Sequence, residues 1–86
     1  MKNKAEIREI LMKGTNYENA RIWTEATSMV NGGTIRWWWN PVSEVVESYG
    51  RGPGWSDQGI SEHELEDIVS YLWKERRRIK NIKEVA

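Results

Sequence analysis

The sequence predicts a mostly α fold, with four short helices near residues 4–13, 16–30, 41–49 and 62–80 and one extended tryptophan-rich segment at 34–39. Two observations carry that reading. A polar capping residue is followed three positions later by glutamate at Asn3/Glu6, Thr15/Glu18 and Ser61/Glu64, the arrangement that satisfies backbone donors at a helix start. Behind each cap, apolar residues recur at intervals of three and four, the period of a helix with one buried face.

After Asn3, the residues Ile7, Ile10 and Leu11 share a face and Gly14 supplies a stop. After Thr15, the series Tyr17, Ala20, Trp23, Ala26, Met29 and Val30 keeps a helical period until Asn31-Gly32-Gly33. Thr34 to Trp39 is β-branched and aromatic with no cap, so it reads as extended and needs a hydrogen-bonding neighbour. Asn40 before Pro41 has the form of an N-cap with proline at the first helical position, and Val42, Val45, Val46 and Tyr49 make a stripe that Gly50 ends. Glycines 50, 52, 54 and 59 with Pro53 make 50–60 a loop, which Trp55 anchors. On the last helix Ile60 faces Leu65 as a hydrophobic staple, and Leu65, Ile68, Val69 and Leu72 form a stripe with Trp73 at its edge. Continued, that stripe arrives at Arg76, so the helix outruns the body of the domain near residue 74.

The competing arrangement is α+β, with a strand at 21–30 turning through Asn31-Gly32 into 34–39 as a β-hairpin. Ile22, Thr24, Thr27 and Val30 favour it. Against it, alternation puts Trp23, Glu25, Thr27 and Met29 on one face and Ile22, Thr24, Ala26, Ser28 and Val30 on the other, without a clean division of apolar from polar.

Composition bounds the function. A chain of 86 residues has room for one core, so residues 1–86 are expected to form a single small domain. With 38% hydrophobic and 30% charged residues at net charge 0, it is too apolar and too balanced to stay disordered. The absence of cysteine removes a disulfide framework, a thiolate zinc site and a cysteine nucleophile, and cytoplasm is the expected compartment. Its longest apolar runs, Ile10–Met12 and Trp37–Trp39, are far short of a membrane span or a signal peptide, so no membrane partner is expected.

Candidate chemistry is sparse. His63 and Asp67 stand four apart, but a metal site needs further ligands and the remaining candidates are glutamates on the same turn, so no metal is expected. Ser56, Asp57 and His63 have the composition of a catalytic triad without a nucleophile-elbow pattern around the serine. Gly50-Arg51-Gly52-Pro53-Gly54 follows a helix and lacks the Lys-Ser/Thr ending of a phosphate loop, which makes it a structural turn. The stretch from Pro53-Gly54-Trp55 to Tyr71-Leu72 loosely resembles the end of a class I cytochrome c. The Cys-x-x-Cys-His attachment and the methionine before the proline are missing, so no haem residue is carried over and no cofactor is expected. One histidine, no cysteine and no phosphate motif leave few ways to build a general base or a nucleophile, and the chain is expected not to be an enzyme.

What remains is a binding module, of accessory or inhibitor type such as mobile elements encode. Six tryptophans must mostly be buried for so small a chain to fold, which leaves one or two for a partner. In the extended segment Ile35, Trp37 and Trp39 share one face and Thr34, Arg36 and Trp38 the other. The first set reads as core. Trp38 beside Arg36, with Trp55, reads as an anchor for a protein partner or a second copy of the chain. The alternative is a nucleic-acid-binding regulator. Lys74, Arg76, Arg77, Arg78, Lys80 and Lys83 next to Trp73 give a basic C-terminal helix end, and strand 34–39 with helices 41–49 and 62–80 has the order of a ribbon-helix-helix dimer.

Overall fold

The computed structural model describes residues 2–26, 32–52 and 59–82, the last three of these by backbone alone. Its elements in chain order are α1 (Lys4–Lys13), β1 (Ile22–Glu25), β2 (Thr34–Asn40), β3 (Val45–Arg51), β4 (Ser61–His63), α2 (Leu65–Lys74), a 3₁₀ turn (Arg76–Arg78) and β5 (Ile79–Ile82). The strands form one antiparallel sheet in the order β4-β3-β2-β1-β5. The fold is α+β, which corrects the expectation of a mostly helical chain with four helices. β1 and β2 pair antiparallel, the arrangement held above as the alternative.

α1 forms where its cap places it. The Asn3 side chain accepts from the backbone N–H of Glu6 at 2.9 Å, and the Glu6 carboxylate accepts from the N–H of Lys2 at 3.0 Å. Gly14 ends the helix through a matter of space. A Cβ there would lie 2.9 Å from the Ala20 Cα, so the chain returning toward β1 passes where any side chain would be.

No helix follows over 16–26, the described part of the helix expected at 16–30. Asn19 accepts through Oδ1 from the N–H groups of Thr15 (2.6 Å) and Asn16 (2.9 Å), while Asn16 Oδ1 accepts from Asn19 N–H at 2.9 Å. These local bonds satisfy the backbone in a turn and compete with helix formation. The chain then enters β1, where Ile22 and Thr24 are buried, as is Ala26 just after it. Thr24 belongs to the interior because its hydroxyl accepts from the Trp37 indole at 2.8 Å, which is why the alternation looked unclean in the sequence. Residues 27–31 of the expected helix and turn lie outside the described residues.

The expected helix at 41–49 is also replaced by turn and strand. Asn40 Oδ1 does accept from Val42 N–H (2.9 Å) and Ser43 N–H (3.2 Å), and Glu44 N–H donates to the Asn40 carbonyl at 2.8 Å, so a single turn begins. Glu44 then takes φ 56°, the left-handed region, and reverses the chain. β3 runs back along β2 from Asn40↔Val45 to Thr34↔Arg51. The supposed stripe is split, with Val46 fully buried and Val42 92% exposed at the hairpin tip.

Ser61, expected to cap the last helix, instead sits in the ladder opposite Ser48, and α2 starts four residues later. Its stripe is as the periodicity has it, with Ile68, Val69 and Leu72 buried and Leu65 and Trp73 packed at the margin. The helix ends at Lys74 rather than near 80. The chain passes through the 3₁₀ turn and pairs with β1 as an edge strand, bringing Ile79 against the core.

Both helices lie on one face of the sheet. Ile7, Ile10 and Leu11 of α1 and the α2 stripe enclose Ile22, Trp37 and Val46 from the strands, and Ile35 and Trp39 pack on the same cluster. The division of β2 into Ile35/Trp37/Trp39 and Arg36/Trp38 thus places the first set toward the helices. β2 is hydrogen-bonded on both sides, to β1 and β3. It has no free edge to pair with a second chain, which removes the ribbon-helix-helix arrangement. Among the described residues no helix is long and apolar enough to cross a membrane.

Candidate functional site

The face of the sheet opposite the helices is built by pairing. Trp23 of β1 lies directly across from Arg36 of β2, Arg36 across from Tyr49 of β3, and Trp38 across from Glu47. The turn after α1 wraps round to this face. It is tied down where Trp39 N–H donates to the Gly14 carbonyl at 2.8 Å, beyond the point where β1 stops pairing with β2. Tyr17 is thereby laid over the strands, with its ring edge-on to Trp38 (6.1 Å between centroids) and to Tyr49 (5.5 Å).

Arg36 occupies the centre. Its guanidinium carbon stands 4.3 Å from the Tyr17 ring centroid and 4.2 Å from that of Trp23, and its Nη1 donates to the Tyr17 carbonyl at 3.1 Å. A cation beside two aromatic rings is held by their negative π faces while losing part of its water shell. The result is a charged group fixed in place on a sheet face, half-buried and without a carboxylate partner among the described residues.

Trp38 is not the exposed anchor that alternation selected. The strand does put it on the face of Arg36, but Tyr17 packs on the ring, its indole N–H donates to Glu47 Oε1 at 2.9 Å, and only 2% of it is exposed. Glu47 Oε1 also accepts from the Asn40 side-chain amide at 3.3 Å. Trp55 lies outside the described residues. Of the two described residues expected to bind a partner, Arg36 is therefore the one the structure leaves partly accessible.

The basic segment is not one helical stripe. Lys74 ends α2, Arg76 to Arg78 form the 3₁₀ turn and Lys80 is in β5; the Lys80 side chain and Lys83 lie outside the description. Arg76 folds back, its guanidinium 4.2 Å from the Trp73 ring centroid and its Nη1 donating to the Trp73 carbonyl at 2.9 Å. Arg78 pairs with Glu75 at 3.2 Å.

A second polar pair sits on the helix side. Ser48 Oγ and His63 Nε2 are 2.9 Å apart across β3 and β4, and the imidazole lies against Trp37 with centroids 5.4 Å apart. Burial lowers the His63 pKa below its ordinary value near 6.5, which favours the neutral ring, and the tautomer sets whether Nε2 donates to or accepts from Ser48 Oγ. Among the described residues His63 has no carboxylate to orient it and no group of three or more His, Asp or Glu is placed to hold a metal. Ser56 and Asp57, the partners the sequence offered for His63, lie outside the described residues.

Sequence reasoning missed Tyr17, Trp23 and Tyr49. All three were assigned to helix stripes; strand pairing brings Trp23 and Tyr49 beside Arg36, and Tyr17 arrives through a turn in place of the expected helix. No family model, curated protein or solved structure matches the chain.

Proposed function

We propose that the chain is a small non-enzymatic interaction module that binds a protein partner across the sheet face opposite its helices. The observation that carries this reading is Arg36 held between Tyr17 and Trp23, with Tyr49 and Trp38 beside it. Arginine, tryptophan and tyrosine are the residues that dominate binding energy at protein interfaces. A guanidinium already fixed in its binding geometry loses less side-chain entropy on association than a free one. The Ser48–His63 pair adds no catalytic reading, because Ser48 is buried and no orienting acid accompanies it among the described residues. A cytoplasmic setting belongs to the same proposal.

The lack of cysteine makes the test clean, since an introduced thiol is labelled alone. Glu62 is exposed and lies on the proposed face opposite Glu47, while Glu9 is exposed on α1. Immobilised Glu62→Cys and Glu9→Cys variants, each carrying a bulky maleimide adduct, are compared in capture from native lysate with and without nuclease. The expected result is a nuclease-resistant protein partner retained by the Glu9-labelled form and lost from the Glu62-labelled form. Loss from the Glu9-labelled form alone would move the interface to the helices. A partner released by nuclease would favour the nucleic-acid reading, whose support is the run of basic residues Lys74, Arg76, Arg77 and Arg78.

A further inference from the structure

We infer that the partner contact at this face is an acidic side chain, docked on an anion site formed by Arg36 and Arg21. This rests on the reading of the sheet face as the interface. Arg36 uses an Nη1 hydrogen on the Tyr17 carbonyl, and no other hydrogen bond or ion pair of its guanidinium is made among the described residues. Arg36 is half-buried, and its Nε and Nη2 make no hydrogen bond among the described residues, so they are free donors on a clamped fork. Both rings approach the guanidinium carbon and neither offers an oxygen acceptor at that contact, so the remaining N–H donors are left for an incoming acceptor.

Arg21 supplies the independent observation. Its Nε is buried and has no hydrogen-bond partner among the described residues, although a buried donor without an acceptor is costly. Arg21 immediately precedes β1, two residues before Trp23, and β1 continued back by one residue would give it the same face. Trp23 lies across from Arg36, so Arg21 sits diagonally from Arg36, within reach for long side chains. The free donors of Arg36, flanked by the rings of Tyr17 and Trp23 and with Arg21 adding a second positive charge nearby, call for a planar anion. A carboxylate has that shape and accepts from an arginine fork in two parallel bonds.

The surroundings select an isolated carboxylate over a phosphodiester chain. Glu47 and Glu62 face each other across β3 and β4 on this side of the sheet, and Glu25 stands two residues beyond Trp23 on the same side. An extended polyanion lying on Arg36 would run over those carboxylates, whereas one acidic side chain would not. The chain's net charge of 0 gives no long-range pull toward nucleic acid either.

The test uses the whole protein and needs no knowledge of the partner. Side-chain ¹⁵N–¹H resonances of Arg36 Nε and Trp23 Nε1 are followed while adding acetyl-Gly-Glu-Gly-amide, with acetyl-Gly-Gln-Gly-amide and a short oligothymidylate as separate arms. The glutamate peptide is expected to give saturable shifts at both resonances with Kd on the order of 1 mM, weakening as salt is added. Arg36→Met keeps an unbranched stem between the rings and should abolish the Trp23 shift in a protein whose backbone spectrum is otherwise preserved. Arg36→Lys, which keeps charge without the planar fork, should weaken binding by about tenfold. No saturable shift, an equal shift with the glutamine peptide, or tighter binding of oligothymidylate each overturns the acidic-side-chain assignment. Those failures leave the interaction face standing, because the labelling experiment at Glu62 reads it without using either arginine.

Discussion

The indole N–H of Trp38 donates to Glu47 Oε1 at 2.9 Å, directly across the β2–β3 pair. That bond turns a tryptophan on the sheet's outer face into an interior residue. Tyr17 packs on the ring and Glu47 satisfies its polar end, so the side chain is 2% exposed and ranks among the largest fully buried groups in the molecule. Trp38→Ala is therefore expected to cost about 3–5 kcal/mol of stability, as large-to-small core changes do. Urea unfolding checks this. A melting temperature unmoved by Trp38→Ala would return the ring to the surface.

Thr24 and Trp37 form the corresponding pair on the helix side, where the Thr24 hydroxyl accepts from the buried indole at 2.8 Å. Thr24→Val keeps the shape and leaves the indole N–H without an acceptor, at an expected cost of about 1–3 kcal/mol. Thr24→Ser should cost less because the acceptor stays. Adding Trp37→Phe to Thr24→Val should recover part of the loss, since no orphaned donor remains. Additive losses in that double-mutant cycle would mean the hydrogen bond contributes nothing.

This pair also explains how much of the fold was legible. Where capping and periodicity agree with tertiary packing, as in α1 and the α2 stripe, the sequence alone locates the helix. At 22–25 a threonine reads as surface, because its hydrogen-bond partner comes from another strand. At 40–44 the signals for a helix start are real, and one turn forms, but a left-handed Glu44 converts it into a hairpin. Strand pairing is long-range information. The Arg36 site inherits the same limit: alternation found Arg36, while the residues that clamp it come from a turn and a neighbouring strand.

His63 should make stability depend on pH in a defined direction. Burial holds its folded-state pKa below the ordinary value near 6.5, so the unfolded chain takes up the proton more readily. The stability attached to this site is full above about pH 6.5 and is lost as pH falls through the window down to the folded-state value. Melting temperatures of wild type and His63→Gln, compared from about pH 8 to about pH 5, should show wild type losing ground in acid. A wild type that gains on the variant as pH falls would mean that a nearby acid stabilises the charged imidazole.

Arg76, Arg77 and Arg78 give the last prediction, and it runs against nucleic acid. In a 3₁₀ turn successive side chains point about a third of a turn apart, so the three do not line up along one face. Arg76 is folded onto Trp73 and its carbonyl, and Arg78 is paired with Glu75, which leaves their charges partly engaged within the protein. Trp73 itself packs at the margin of the core with a cation over its ring, a poor platform for a base. Labelled duplex and single-stranded DNA should therefore show no rise in anisotropy with added protein at physiological salt. If binding does occur through this segment, the logarithm of the affinity must fall linearly with the logarithm of salt, with a slope near −0.9 per phosphate neutralised on duplex DNA. Changing all three arginines to glutamine would then flatten that slope, and such a result would show that the turn opens to meet the phosphates.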